Sequence, residues 1–321
     1  MPITPFTIRD ARTLLSRYLP QTRLVHAPSL SSLKASVYLK LESELPTGSF
    51  KPRGAIYALA TRMSRRSVKE VIASSTGNHG AAVAYAAKQL GVPATIFLPD
   101  NPNPVKRKRI ADLGAKIVEQ GSGDLAEACR KARAYSENDE TIYFLNDATD
   151  LDLPAGPATI GAEILEQRPG VSAIYVPMGD TALIRGVAAA SKQRPQKVKI
   201  IGVQAQRAPS YFLSWQQGNA VETETCDTIA DGLATRTPEA ENVKAIRELV
   251  DDVCLVTEEQ MLEAIRHLAL EEHLVAEPAG AAATAALLSR QVEVQGDVVA
   301  LVSGANIAPD VLRRALCEGR R

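Results

Sequence analysis

The sequence predicts an α/β protein built on open, twisted and mostly parallel sheets, with helices covering both faces. Three observations lead there. Short β-branched runs alternate with longer stretches of helical spacing, the runs are apolar nearly throughout, and polar glycine-bearing loops fall just after several of them.

Residues 37–41, 70–74, 95–98, 116–119 and 142–145 read as strands, as do 173–177, 199–203, 253–256 and 298–303. Between them, 79–90, 125–135, 258–270 and 279–288 carry Ala- and Leu-rich helical spacing. A strand covered on both faces has no polar side, so its apolar run is continuous rather than alternating. No internal repeat or low-complexity tract interrupts the series. At 321 residues the chain is long enough for two domains with buried cores.

Composition excludes several classes of function. The 37 basic and 37 acidic residues balance, which leaves no electrostatic ground for a nucleic-acid or membrane partner. Lys106, Arg107, Lys108 and Arg109 bunch together after a Pro-Asn-Pro stretch, and read as a solvated helix face rather than a binding patch. Cys129, Cys226, Cys254 and Cys317 are widely spaced, with no C-x-x-C pair, which speaks against a zinc site or a disulfide framework and suits a reducing compartment. The first nine residues lack the pattern of a secretory signal. No apolar run approaches the roughly 18 residues of a membrane helix. A cytoplasmic globular protein is expected.

Three loops follow predicted strands: Ser75-Thr76-Gly77-Asn78-His79-Gly80, Met178-Gly179-Asp180-Thr181 and Gly304-Ala305-Asn306. In open α/β sheets ligands bind beyond the carboxyl ends of strands, where helix starts present free amides. Glycine-containing turns are also ordinary punctuation, so one alone would carry little. Three together point to a shared crevice for an anionic ligand.

Lys51 stands in Pro46-Thr47-Gly48-Ser49-Phe50-Lys51-Pro52-Arg53-Gly54-Ala55, where helical spacing begins. A lysine at a helix start opposes the macrodipole, and partial burial would lower its pKa further. A neutral amine is the form that Schiff-base chemistry needs. On local grounds a surface lysine covering Phe50 fits equally.

The segment from Gly48 to Ala55 resembles the cofactor-lysine motif of the fold-type II pyridoxal-phosphate enzymes, the family of threonine and serine dehydratases, serine racemase, threonine synthase and cysteine synthase. Ser75 to Gly80 is similar to its second signature. Thr228-Ile229-Ala230-Asp231-Gly232-Leu233-Ala234, Glu277-Pro278-Ala279-Gly280-Ala281 and Leu301-Val302-Ser303-Gly304-Ala305-Asn306 resemble three more, in family order. The likeness runs from about Thr22 to the C-terminus. It implies the tryptophan-synthase-β-like architecture of two sheet domains with the cofactor in the cleft between them. Residues 1–44 and 149–321 would form the larger domain, which holds the cofactor phosphate. Residues 45–148 would form the smaller one, which holds the substrate carboxylate.

Carried over residue by residue, the resemblance makes Lys51 the Schiff-base lysine of pyridoxal 5′-phosphate and the base for the α-proton. Phe50 packs near the cofactor and Asn78 bonds the pyridine 3-oxygen. Ser75, Thr76 and the His79 amide hold the substrate carboxylate, with no acid–base role for the His79 ring. Ser303 faces the pyridine nitrogen, and a hydroxyl there, in place of a carboxylate, does not force that nitrogen to be protonated, which makes the cofactor a weaker electron sink and suits β-elimination. Asp231 and Glu277 lie toward the substrate; a helix cap or a structural partner is the other reading of each.

Two stretches depart from the family pattern. Its phosphate loop is usually four glycines followed by Leu, whereas here Gly179, Asp180, Thr181 and Ala182 precede Leu183. The amides can still converge on phosphate and Thr181 can add a hydroxyl, but Asp180 is repulsive unless it turns away or caps the helix. Arg185 either offsets it or faces solvent. The family's divalent-metal positions fall at Gln204 and Ser210, which supply no charged oxygen, so no metal is expected there.

The activity implied is that of a dehydratase, or ammonia-lyase, which turns a 3-hydroxy amino acid such as threonine or serine into a 2-oxo acid and ammonia. A racemase is the rival: it would need Thr76 as the proton donor on the opposite face, where the family uses serine and where the methyl of threonine crowds. A threonine-synthase-like or β-replacement enzyme is a third reading, and a non-catalytic cofactor-binding protein a fourth. With no regulatory extension expected after Arg321, the resemblance implies the short form without allosteric feedback. The family suggests a homodimer.

Overall fold

A computed structural model describes residues 3–75, 77–100, 104–120, 125–289 and 295–317, with the side chains of 104, 105, 120 and 125 excepted. Among the described residues ten strands form two sheets. They are β1 (Leu24–His26), β2 (Ala35–Leu41), β3 (Glu70–Ser74), β4 (Ala94–Pro99), β5 (Lys116–Gln120), β6 (Ile142–Phe144), β7 (Val171–Pro177), β8 (Lys199–Ala205), β9 (Asp252–Val256) and β10 (Gly296–Val302). The larger sheet runs β1-β2-β10-β7-β8-β9 and the smaller β5-β4-β3-β6. Every pairing is parallel except β1 against β2.

The helices follow as α1 (Pro5–Leu15), α2 (Pro52–Arg65), α3 (Asn78–Leu90), α4 (Pro104–Asp112), α5 (Leu125–Ser136) and α6 (Ala155–Gln167). After them come α7 (Ala182–Lys192), α8 (Ser210–Gln217), α9 (Ala240–Leu249), α10 (Glu258–Leu270), α11 (Pro278–Leu288) and α12 (Pro309–Cys317). All nine strands expected from the apolar runs are present. β1 is the addition, and its three residues are too few to carry a pattern.

Strand periodicity sorts the larger sheet into two cores. Val298, Ala300 and Val302 of β10 join Ala173 and Tyr175 of β7 under α10 and α11. Val299 and Leu301 point the other way with Ile174 and Val176, toward α6, α7 and α9. The smaller sheet does the same. Val71, Ala73, Ile96 and Leu98 pack on α1, α2 and α3, while Ile72 and Phe97 meet Ala128 and Ala132 of α5. Burial on both faces is why these strands read as continuous apolar runs.

Helices α2 and α6 approach so closely at Gly156 that a Cβ there would lie 2.3 Å from the Arg53 carbonyl oxygen. The contact is locked by buried charges. Arg53 Nε donates to Glu42 Oε2 at 2.8 Å, and Nη1 to Glu163 Oε1 at 2.6 Å. Lys40 Nζ donates to Glu163 Oε2 at 2.6 Å. Burial works against the Arg53 cation, but Glu42 and Glu163 outweigh it and hold its pKa above the usual range. Lys51 is thus mounted on a helix tied to both β2 and α6.

Candidate active site

The segment carrying Lys51 crosses from the larger sheet to the smaller. Ser49 bridges Gly304, the Phe50 amide donates to the Ser303 carbonyl at 3.0 Å, and the Ala305 amide donates to the Gly48 carbonyl at 2.9 Å. Lys51 is then the cap residue of α2, with Pro52 at the first helical position. Its stem runs beside Phe50, Nζ lying 5.6 Å from the ring centroid.

Lys51 Nζ meets Asp147 Oδ2 at 2.6 Å, from the turn after β6. Burial would lower the lysine pKa, but Asp147, with Asp180 and Glu277 farther off, reverses the balance and raises it. The neutral amine expected from helix position and burial is therefore not the resting form. Asp147 lies outside every motif, so the sequence shows no partner for this lysine. Its one signal is an acidic residue just beyond a strand's carboxyl end.

His79 donates from Nε2 to the Leu145 carbonyl at 2.8 Å. Burial, then the charge of Lys51, holds its pKa below the usual range despite Asp147, so the ring is neutral and pins α3 to the end of β6. Ser75 Oγ accepts from the Gly77 amide at 3.1 Å. Thr76 lies outside the described residues. Asn78 Nδ2 donates to Glu277 Oε1 at 2.5 Å, across from the smaller sheet's helix to the larger sheet's. Glu277 Oε2 is buried without a hydrogen-bond partner among the described residues, and burial, then the charge of Asp231, pushes this carboxyl up to about 7. Ser303 is buried at the end of β10, with Oγ 3.5 Å from the Ala279 carbonyl.

The basic run on α4 corrects the expectation of a solvated face. Lys106 is buried and pairs with Asp231, while Arg109 donates to the Thr47 carbonyl at 2.8 Å and to Asn306. Only Arg107 and Lys108 face outward as the pattern predicts. A helix of the smaller sheet thus reaches across the cleft mouth.

At the start of α7, Asp180 neither caps the helix nor stands free: its Oδ1 accepts from Thr235 Oγ1 at 3.1 Å. Burial, then the charge of Asp147, pushes it up to about 6. Thr181 is left-handed at φ +66°, and its buried hydroxyl has no partner among the described residues. Behind the loop Arg185 keeps Nε and Nη2 buried and unpartnered rather than facing solvent, and burial lowers its pKa against the pull of Tyr211 and Asp180. Gln204 and Ser210 are committed elsewhere, Gln204 Oε1 accepting from the Phe212 amide at 2.9 Å and Ser210 donating to the Thr235 carbonyl at 2.6 Å. Phe50, Lys51, Asn78, His79, Asp147, Gly179, Asp180, Thr181, Ala182, Glu277 and Ser303 line one cleft of about 620 Å³, counting its part open to solvent.

Two parallel sheets whose strand ends share a cleft, with an amine at its centre and a helix start beside it, define a lysine-centred ligand-binding α/β protein. Residues 15–304 match the family model described as pyridoxal-phosphate dependent enzyme, and the chain belongs to that family. It is 38% identical to the L-threonine ammonia-lyase of Geobacter sulfurreducens over 94% of this chain and 76% of that protein. It is 36% identical to the L-threonine ammonia-lyase of Thermotoga maritima over 99% of this chain and 79% of that one. Maize serine racemase superposes with a TM-score of 0.91 at 27% identity, covering 99% and 98% of the two chains. The threonine deaminase of tomato, Solanum lycopersicum, in its processed isoform 2, superposes with a TM-score of 0.89 at 30% identity, covering 98% and 88%.

The residues present suit pyridoxal phosphate. Lys51 would supply the amine and Ser303 a neutral hydroxyl. The first amides of α7, which have no intrahelical acceptor, join the unpartnered Thr181 hydroxyl in a donor set for phosphate. Asp180 is drawn to Thr235, and the Arg185 cation behind it opposes its charge.

Proposed function

We propose that the chain is a pyridoxal-phosphate-dependent dehydratase, an ammonia-lyase that converts a 3-hydroxy amino acid of the threonine or serine type into a 2-oxo acid and ammonia. The observation that carries this reading is Lys51, held on α2 in a cleft between two parallel sheets, in a chain whose relatives include L-threonine ammonia-lyases.

When bound, the cofactor supplies the electron sink that makes an amino acid's α-proton acidic. Lys51 Nζ, in its neutral form, takes that proton, and the Asp147 carboxylate 2.6 Å away holds the resulting ammonium. Ser75, Thr76 and the His79 amide bind the substrate carboxylate. Phe50, Asn78 and Ser303 border the cofactor ring, and Gly179, Asp180, Thr181 and Ala182 hold its phosphate. Glu277, pushed up to about 7, carries a proton near neutral pH and delivers it to the departing hydroxyl. Asp231 closes the mouth of the cleft against Lys106 and keeps water out. A cytoplasmic homodimer belongs to the same reading, as does the division into 1–44 with 149–321 and 45–148.

The test is incubation of the purified protein with L-serine, L-threonine, their D-forms and bulkier 3-hydroxy amino acids. Release of 2-oxo acid from an L-substrate is expected. Failure of every substrate to give oxo acid sinks the dehydratase, and the opposite enantiomer as the main product makes it a racemase.

A further inference from the structure

Three polar side chains connect α4 to the interior of the cleft. Arg109 on α4 donates to Asn306 Oδ1 and to the Thr47 carbonyl, at 2.8 Å for the second. Asn306, just past β10, donates from Nδ2 to the same Thr47 carbonyl at 2.9 Å and to Asn78 Oδ1 at 2.6 Å. Asn78 then donates from Nδ2 to Glu277 Oε1 at 2.5 Å.

The chemistry of the ends dictates the direction of the chain. A guanidinium only donates, so the Asn306 atom facing Arg109 must be its oxygen. A peptide carbonyl only accepts, so the Asn306 atom facing Thr47 must be its nitrogen. Both ends of that amide are therefore assigned independently of each other, and they agree. With its nitrogen so placed, Asn306 donates to Asn78 and occupies the oxygen of that amide. The Asn78 nitrogen gives one of its two protons to Glu277 Oε1 and keeps the other for the cleft.

We infer that Arg109 is a positioning residue: through Asn306 it fixes the Asn78 amide so that a donor, not an acceptor, faces the cofactor ring. The inference rests on the reading of Asn78 as the partner of the ring's 3-oxygen. An unconstrained asparagine could rotate its amide and present oxygen to an oxyanion, which is repulsive. Coupling the orientation to Arg109 also ties it to the seating of α4 across the cleft mouth, since Lys106 three residues earlier pairs with Asp231 there.

The lysine-bearing segment is shaped around this relay. Gly48 is left-handed at φ +70°, and a Cβ there would lie 2.7 Å from Asn306 Oδ1 and 3.0 Å from Arg109 Nη1. Only a residue without a side chain lets the relay pass over that turn.

The readout is the visible absorption of bound pyridoxal phosphate in the holoenzyme, titrated with pH. A donor at the ring oxygen favours its anionic form, so losing the donor moves the titration midpoint upward, by about one pH unit for one hydrogen bond. Glu277, Lys51, Asp147, Asp180, Arg109 and the Asp231–Lys106 pair are the charged groups around this point; Asn306→Asp adds a carboxylate to them and Arg109→Met removes a cation, so each is read beside a variant that leaves the charge unchanged. Asn78→Ala sets the scale. Asn306→Asp keeps an acceptor for Arg109 but removes the donor to both Asn78 and the Thr47 carbonyl, and Asn306→Ala, which adds no charge, must move the midpoint equally. The midpoint is expected to rise by the same amount in Asn306→Asp as in Asn78→Ala, with no further rise when the two are combined. Arg109→Met is expected to follow them, and Arg109→Lys to stay near the wild-type midpoint.

If Asn78→Ala moves the midpoint while Asn306→Asp leaves it at the wild-type value, or if the two shifts add, the relay is overturned and the Asn78 reading survives. If Asn78→Ala itself leaves the midpoint unmoved, the Asn78 reading fails and takes the relay with it.

Discussion

Lys51 Nζ and Asp147 Oδ2 stand 2.6 Å apart, the lysine at the head of α2 and the carboxylate on the turn after β6. Both halves of the pair belong to the smaller sheet's framework, α2 packing on that sheet and β6 forming its edge, so charge at the reactive amine is set on one side of the cleft. Burial favours the neutral amine and Asp147 the cation, and the cation prevails. Cofactor capture requires the neutral form, so its rate rises with pH through the Lys51 pKa. Asp147→Asn leaves burial less opposed and moves that rise to lower pH. Stopped-flow absorbance after mixing cofactor-free protein with pyridoxal phosphate across pH measures it. An unmoved profile would show that Asp147 does not govern the amine.

Glu277 ties stability to pH in the opposite sense from an ordinary ion-paired carboxylate. Its pKa is raised from 4.5 to about 7 by burial first and the charge of Asp231 second. The folded state binds the proton more tightly than the unfolded chain does. Stability from this group is therefore full below about pH 4.5 and is lost as pH rises to about 7. Glu277→Gln removes that loss, so the cofactor-free variant should gain on wild type between pH 5 and 8, by roughly 1–3 kcal/mol. Asp180, raised to about 6, has the same sign and leaves a smaller slope in the variant. Urea melts at three pH values decide it, and parallel curves for the two proteins would refute the assignment.

Thr181 carries two opposing effects at one position. Its left-handed backbone costs a β-branched residue about 1 kcal/mol or more, while its buried hydroxyl waits without a partner. Thr181→Gly should therefore stabilise the cofactor-free protein by about 1 kcal/mol and yet weaken cofactor binding roughly five-fold, the worth of one hydrogen bond. Thr181→Ser keeps the hydroxyl and should retain affinity. Thermal melts and equilibrium dialysis read the two effects separately. A glycine variant that binds the cofactor as tightly as wild type would remove Thr181 from the phosphate site.

The framework was legible because both faces of each sheet are buried, which turns strands into continuous apolar runs with helices between them. The cleft was legible in the loops at strand ends, where Asn78, Asp180 and Ser303 all line it. What the sequence hid is pairing between distant segments. Asp147 belongs to no motif, and its importance comes from standing opposite Lys51, 96 positions away. Arg109 and Lys106 sit in a basic run that, read one helix at a time, looks solvated. Only the second sheet, placed against α4, reveals Asp231 and Asn306 as their partners. Local patterns report which face of an element is covered, not which polar group covers it.

The same distinction governs Arg53, two residues beyond Lys51 in the motif that first marked the site. Arg53 binds Glu42 and Glu163 at once, and with Lys40 it makes a buried cluster of two cations and two carboxylates. Such a cluster is weak evidence for net stability, since desolvating four charges offsets most of their attraction. Removing one member is a different matter, because it strands an unpaired charge in the core. Arg53→Met should cost about 3–5 kcal/mol and lower the melting temperature by several degrees. Replacing Glu42 by methionine at the same time removes the stranded carboxylate and should restore most of that loss. If the double variant is no more stable than Arg53→Met alone, Arg53 acts by filling space between α2 and α6 rather than by neutralising Glu42.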